Sequence, residues 1–274
     1  MLELIGLALL GCFVGAYGTI IGAGGGFILV PVLLILYPDI DPPKLTAISL
    51  AVVFANATSG SIAYARQRRV DYVTGMLFAA TSAPGVIGGT LLVHYVPQRL
   101  FSAMFGVLLL VVAVIAVRAR EQAVREPVRG GGVITRHLKD PEGRMYVYSY
   151  KAWQGMTLSV GVGFISSLFG IGGGVIHVPA MIILLHIPVM YAVATSHFVL
   201  AFMSGGATIV HIIDGSLSGA EAVKAIALAV GAVPGAQIGA HLSHRIKGRA
   251  VLLMLGFAIV VLGARLILKA ALGI

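Results

Sequence analysis

Residues 15–31 read GAYGTIIGAGGGFILVP, and 148 positions later residues 163–179 read GFISSLFGIGGGVIHVP, identical at 8 of 17 positions. The chain is therefore an internal duplication. Working outward from the two copies, Ala47-Ile48-Ser49 aligns with Ala194-Thr195-Ser196, and Pro84-Gly85 with Gly89 aligns with Pro234-Gly235 with Gly239. Each half repeats one plan.

That plan is written for lipid. Of 274 residues, 58% are apolar and only 11% are charged, against about 25% charged in an ordinary soluble domain. From 152 to 188 the only ionisable side chains of basic or acidic type are His177 and His186, so no polar surface for water exists there. The net charge of +9 does not indicate nucleic acid, because the 19 Lys and Arg fall between the apolar runs: Arg66, Arg68 and Arg69, then eight within 118–151, then Arg245, Lys247 and Arg249. This distribution is the positive-inside signature of a membrane protein. A single cysteine, Cys12, excludes an intramolecular disulfide. Leu9-Leu10-Gly11-Cys12 resembles a lipoprotein cleavage box, but the only early charge is Glu3 and the segment recurs in the second half, so it is read as part of the fold.

Apolar runs cover 1–37, 45–65, 72–95, 100–117, 152–187, 190–213, 219–241 and 250–273. The first run of each half is too long for one spanning helix, which needs about 20 residues and rarely exceeds 25. Gly22-Ala23-Gly24-Gly25-Gly26 and Gly170-Ile171-Gly172-Gly173-Gly174 sit near the middle of those runs, where glycine weakens a helix most. The expected fold is an all-α polytopic membrane protein of two tandem repeats, 1–117 and 152–274, each a glycine-broken helical hairpin followed by three spanning helices. Residues 118–151, with Gly130-Gly131-Gly132, Pro127 and Pro141, read as a flexible basic cytoplasmic linker. An odd number of crossings per half places the repeats inverted in the membrane. The basic residues do not decide this, since inverted repeats and four single crossings per half give the same partition.

Two glycine-rich breaks at depth suit a central transport site. Unwound backbone is tolerated in a membrane only where protein or a water-filled cavity satisfies it, and the N-terminus of a half-helix favours an anion. The alternative for these glycines is close helix packing. They are not a dinucleotide fingerprint, because the sixth position is Phe27 in one copy and Val175 in the other. The second run of each half supplies polar groups: Ser49, Asn56, Thr58 and Ser59, then Thr195, Ser196, His197, Ser204 and His211. Such groups donate hydrogen bonds to oxyanions without a fixed charge, or else hold helices together. His177, where the first half has Leu29, is either a ligand or proton group or a satisfied core histidine. His94, His186, His241 and His244 read as interfacial, Arg265 as snorkelling, and the Pro-Gly pairs as a packing seam. Every Asp and Glu lies at a run's end or in a loop, which argues against proton-pumping carboxylates and cation transport. No HExxH or GxSxG sequence occurs, so no enzyme is expected.

The doubled GxGGG followed by a hydrophobic stretch and Pro31 or Pro179, then Ser49 or Ala194-Thr195-Ser196, then Pro-Gly, resembles the sulfite exporter TauE/SafE family of membrane proteins. The resemblance spans both halves. It implies a secondary transporter exporting sulfite or small organosulfonates, with Gly22, Gly24, Gly25 and Gly26 and their partners Gly170, Gly172, Gly173 and Gly174 as the site. Ser49, Asn56, His177, Thr195, Ser196 and His197 join them from the reading of polar groups above. The first half departs at Ala47-Ile48-Ser49, where the second has a threonine, so the two sites are not equivalent. A passive anion channel and a membrane scaffold acting through the linker remain competing classes. The expected partners are a small anion and the lipid of a bacterial inner membrane, not nucleic acid; no cofactor is expected, and a coupling proton or sodium ion and a homodimer stay open.

Overall fold

The structure, a computed structural model, describes residues 1–118, 131–139 and 143–243, with 250, 253, 257 and 260. Arg265, His244, the Arg245 to Arg249 cluster, residues 119–130 of the connection and most of the 250–273 run lie outside the described residues. The chain is an all-α polytopic membrane protein: six described helices are long and apolar enough to cross a membrane.

The first run breaks where its glycines fall, into α1 (Leu2–Ile20) and α2 (Gly26–Leu36). It is followed by α3 (Pro42–Arg66), α4 (Tyr72–Leu92) with a 3-10 turn at Val93–Tyr95, and α5 (Gln98–Arg118). Pro42 opens α3 at a position where a missing N–H costs nothing. Asp71 caps α4, its carboxylate accepting from the Val73 and Thr74 N–H groups. The second half repeats the order: α6 (Ala152–Phe169), α7 (Gly174–Leu184), α8 (Val189–Ile213) and α9 (Gly219–Ser243).

Each broken run folds back on itself. A methyl group on Gly25 would lie 2.5 Å from Val14, so α2 starts beside the middle of α1, and it returns to the start of α1, where the Tyr37 hydroxyl donates to Glu3 at 2.6 Å. α7 starts likewise beside Val162 of α6.

The halves are interlocked rather than side by side. α1 packs along α9 and α4 along α6, while α3 and α8 cross at the centre. Small residues permit the backbones to touch, the driving contact between helices in lipid. Methyl groups on Gly231, Gly235 and Gly239 would lie 1.8, 2.2 and 2.3 Å from carbonyl oxygens of Ala8, Cys12 and Ala16, and those on Gly85 and Gly89 2.0 and 2.2 Å from Val160 and Phe164. The Pro-Gly segments are thus packing seams in both halves.

The connection departs from its reading as a flexible linker. Val133–Lys139 (β1) and Met145–Lys151 (β2) pair antiparallel, from Val133 opposite Lys151 to Lys139 opposite Met145. Of the residues that suggested flexibility, Gly131 and Gly132 precede β1, while Pro127, Gly130 and Pro141 lie outside the described residues; β2 itself is MYVYSYK, whose aromatic and β-branched residues favour a strand. The hairpin is anchored to the membrane helices by the buried Asp71 side chain, which takes Nε of Arg136 at 3.0 Å and the Tyr148 hydroxyl at 2.5 Å. Burial alone would raise the Asp71 pKa, but hydrogen bonds from Thr74, Tyr148 and Arg136, with the charge of Arg136, bring it below the ordinary carboxylate value.

Candidate transport site

The two glycine breaks meet at the centre of the molecule. Gly22, Gly24 and Gly25 have φ of +75°, +73° and +85°, and Gly170, Gly172 and Gly173 have +71°, +80° and +86°, a left-handed backbone that glycine alone adopts at little cost. A methyl on Gly26 would lie 2.6 Å from the Gly170 carbonyl oxygen, and one on Gly174 would lie 2.2 Å from that of Gly22. The N-termini of α2 and α7, with N–H groups that lack intrahelical acceptors, therefore abut each other's breaks. Residues 18–31 and 166–175 are all buried.

Each break is held by the opposite half. The Ser49 hydroxyl of α3 donates to Gly170 O at 2.6 Å, and the Ser196 hydroxyl of α8 donates to Gly22 O at 3.3 Å. Between them, Val53 of α3 and Leu200 of α8, equivalent positions in the two halves, both lie against Gly24 and Gly172. The centre is thus two polar caps around an apolar contact.

Beyond that core the halves differ. Asn56 donates to Gly24 O at 3.2 Å and accepts from Thr19 at 3.3 Å, while Thr19 faces His197 Nε2 at 3.2 Å and the Tyr64 hydroxyl holds the Thr19 carbonyl at 2.7 Å. With its proton on Asn56, Thr19 receives the His197 N–H. All four side chains are buried. In the second half His177 pairs through Nε2 with Ser159 at 3.2 Å and stacks on Phe78 at 5.9 Å. Thr195 lies apart from the breaks, accepting the Asp71 N–H at 3.0 Å.

The structure brings the eight glycines, Ser49, Asn56 and Ser196 into one central cluster, with His197 reached through Thr19. It sets His177 one layer away on α7 and Thr195 at the hairpin end. Two residues that the sequence reading missed stand beside the second break: the Ser166 and Ser167 hydroxyls are buried without a hydrogen-bond partner, Ser166 within 3.2 Å of a methyl on Gly173. Their first-half counterparts are Gly18 and Thr19, so the signal for Ser166 was a small residue made polar in one copy only, while Ser167 keeps a hydroxyl that both copies share.

A polytopic fold with paired glycine breaks at its centre defines a membrane transporter architecture. The family profile described as Sulfite exporter TauE/SafE matches residues 7–266, and the chain belongs to that family. It is 31% identical to the probable membrane transporter protein YunE of Bacillus subtilis over 95% of this chain and 96% of that one. It is 27% identical to YjnA of the same organism over 96% and 99%, and 23% identical to a probable membrane transporter protein of Methanocaldococcus jannaschii over 96% and 94%. No solved structure matches it.

Proposed function

We propose that the protein is a secondary transporter that exports a small sulfur-containing anion, sulfite or an organosulfonate, by alternating access at the two glycine breaks. The observation that carries this reading is the mutual contact of the breaks, with two half-helix N-termini directed at one buried point. Converging N–H dipoles favour an anion there. The unpartnered Ser166 and Ser167 hydroxyls add neutral donors beside it. Burial of both breaks in one conformation favours a carrier over an open pore, because a carrier must seal its site between openings.

The halves are proposed to sit inverted. The end of the molecule with Glu3, Tyr37, Lys44 and Asp214 is joined by Tyr37–Glu3, Lys44–Glu221, His94–Asp214 and Gln98–Pro38 contacts. The other end carries Arg66, Arg68 and Arg69, shortly before Asp71, to which the hairpin is anchored through Arg136. The basic end is then cytoplasmic, α1 starts outside and α6 inside, in a bacterial inner membrane. An inside-negative potential of about 100 mV favours exit of each negative charge by about 2.3 kcal/mol, so the potential by itself supplies a driving force for export.

The test is uptake of sulfite, taurine, sulfoacetate and sulfate into proteoliposomes under a potential of either sign. Saturable flux of a sulfite or sulfonate that follows the potential is expected. No flux of any of the four from folded protein overturns the reading.

A further inference from the structure

At the end of the molecule opposite the hairpin, a cleft of about 450 Å³ is lined by Asp41, Lys44, His94, Gln98, Asp214 and Ser216 among others. Two imidazoles converge on one carboxylate oxygen of this wall, His94 from the cleft and the buried His211 from behind it: His94 Nε2 and His211 Nδ1 each lie 3.4 Å from Asp214 Oδ2. The rings themselves are 6.3 Å apart.

The far nitrogens of both rings are already assigned by their neighbours. His94 Nδ1 faces the Thr90 carbonyl at 3.2 Å, an acceptor only, so that nitrogen carries a proton. His211 Nε2 faces the Thr46 hydroxyl at 3.4 Å, and Thr46 directs its own proton to the Pro42 and Pro43 carbonyls at 2.9 and 3.0 Å, leaving a lone pair for His211. With Thr46 so oriented, that nitrogen too is an N–H. In the neutral rings the nitrogens facing Asp214 then hold lone pairs, set against a carboxylate. Ser216, 3.3 Å from His94 Nε2, offers that ring a donor; fully buried His211 is relieved either by a proton or by turning the Thr46 hydroxyl from the Pro42 and Pro43 carbonyls to its Nε2.

One proton converts this repulsion into a charge-assisted hydrogen bond. A hydronium ion entering the cleft gives its proton to the Asp214 carboxylate and becomes water; Asp214 passes that proton to the buried His211 Nδ1, and the new N–H donates back to Asp214. Among the described residues, the other charged groups lining the cleft are Asp41 and Lys44, and Lys44 is drawn to Glu221 at 3.7 Å. His94 is the second base on the same carboxylate.

The site touches the transport centre through one residue. Thr46, which receives the His211 N–H, lies against the second break: a methyl on Gly170 would be 3.0 Å from the Thr46 Cα. Ser49, one turn further along α3, caps the Gly170 carbonyl. We infer that His94, Asp214 and His211 form a proton-binding site opening to the outer cleft, and that proton binding there is coupled through Thr46 to movement of the second glycine break. Transport is then anion–proton exchange rather than simple anion exit. This rests on the transporter reading above.

The test uses the full chain in proteoliposomes with a trapped pH dye and sulfoacetate, which stays ionised near neutral pH and so carries no proton of its own. In the wild type an outward sulfoacetate gradient drives protons inward. His211→Gln and Asp214→Asn each lose that proton movement, and sulfoacetate counterflow reports that each variant carrier is folded. Sulfoacetate flux without proton movement in the wild type overturns the inference while leaving the transporter reading intact. Undiminished proton movement in both variants overturns the assigned site. If the wild type passes no sulfoacetate, sulfite or taurine, the transporter reading fails and this inference falls with it.

Discussion

At the residue scale, the glycines of the break are distinguished by what surrounds them. Gly174 faces backbone, the Gly22 oxygen and Ala23, whereas a methyl on Gly161 meets nothing within 4 Å. Gly174→Ala is therefore expected to abolish transport and lower thermal stability by about 1–3 kcal/mol as the backbone shifts, with Gly161→Ala neutral on both counts, read by flux and by unfolding in detergent. Asn56 and Ser166 separate in the same way. Asn56→Leu strips a partner from the buried Gly24 carbonyl and is expected to cost about 1–2 kcal/mol of stability. Ser166→Ala removes a hydroxyl that bonds nothing, so stability stays within about 0.5 kcal/mol while substrate affinity falls. Equal affinity in Ser166→Ala removes that serine from the site. Much of this scale was legible: the glycine spacing, Ser49, Asn56 and Ser196 all stand in the central cluster. What sequence could not give is direction. Ser49 and Ser196 have the same neighbours in sequence whether they face an anion or a carbonyl of the other half, and only the crossing of α3 with α8 decides for the carbonyl.

At the scale of elements, the helical runs were legible because lipid imposes a length and a hydropathy that few residues can hide. The hairpin was not. Its strands are seven residues each within a segment dominated by charge and glycine, and their stability comes from a residue more than sixty positions upstream, Asp71. Periodicity has no access to such a partner. The anchor carries a definite pH signature. Since the Asp71 pKa is depressed in the folded protein, its contribution is complete above the ordinary carboxylate value of 3.8 and is lost as pH falls through the lower folded value. Thermal unfolding of the wild type is expected to lose stability on that acid limb, and Asp71→Asn to flatten it while lowering stability at neutral pH by about 1–3 kcal/mol. An unchanged acid limb in the variant assigns the transition to other carboxylates.

At the scale of the whole molecule, the arrangement makes a prediction about sidedness that charge counting did not. In a Cys12→Ala background, Glu3→Cys at the start of α1 is expected to react with an impermeant maleimide on intact cells. Trp153→Cys at the start of α6, where the native side chain is 62% exposed, is expected to react only after permeabilisation. Labelling of both from one side rules out inversion.

The interlocking of α1 with α9 also bears on how the chain is made. Gly11 of α1 rests on the Leu228 carbonyl and Gly15 on that of Ala232, so α1 is synthesised more than 200 residues ahead of its principal neighbour. Until α9 arrives, the seam of small residues on α1 faces lipid or a chaperoning insertase, and the α2 N-terminus has no second break to abut. The nascent first half is thus a set of inserted helices awaiting assembly, and the transport centre comes into being only after the second half has been made.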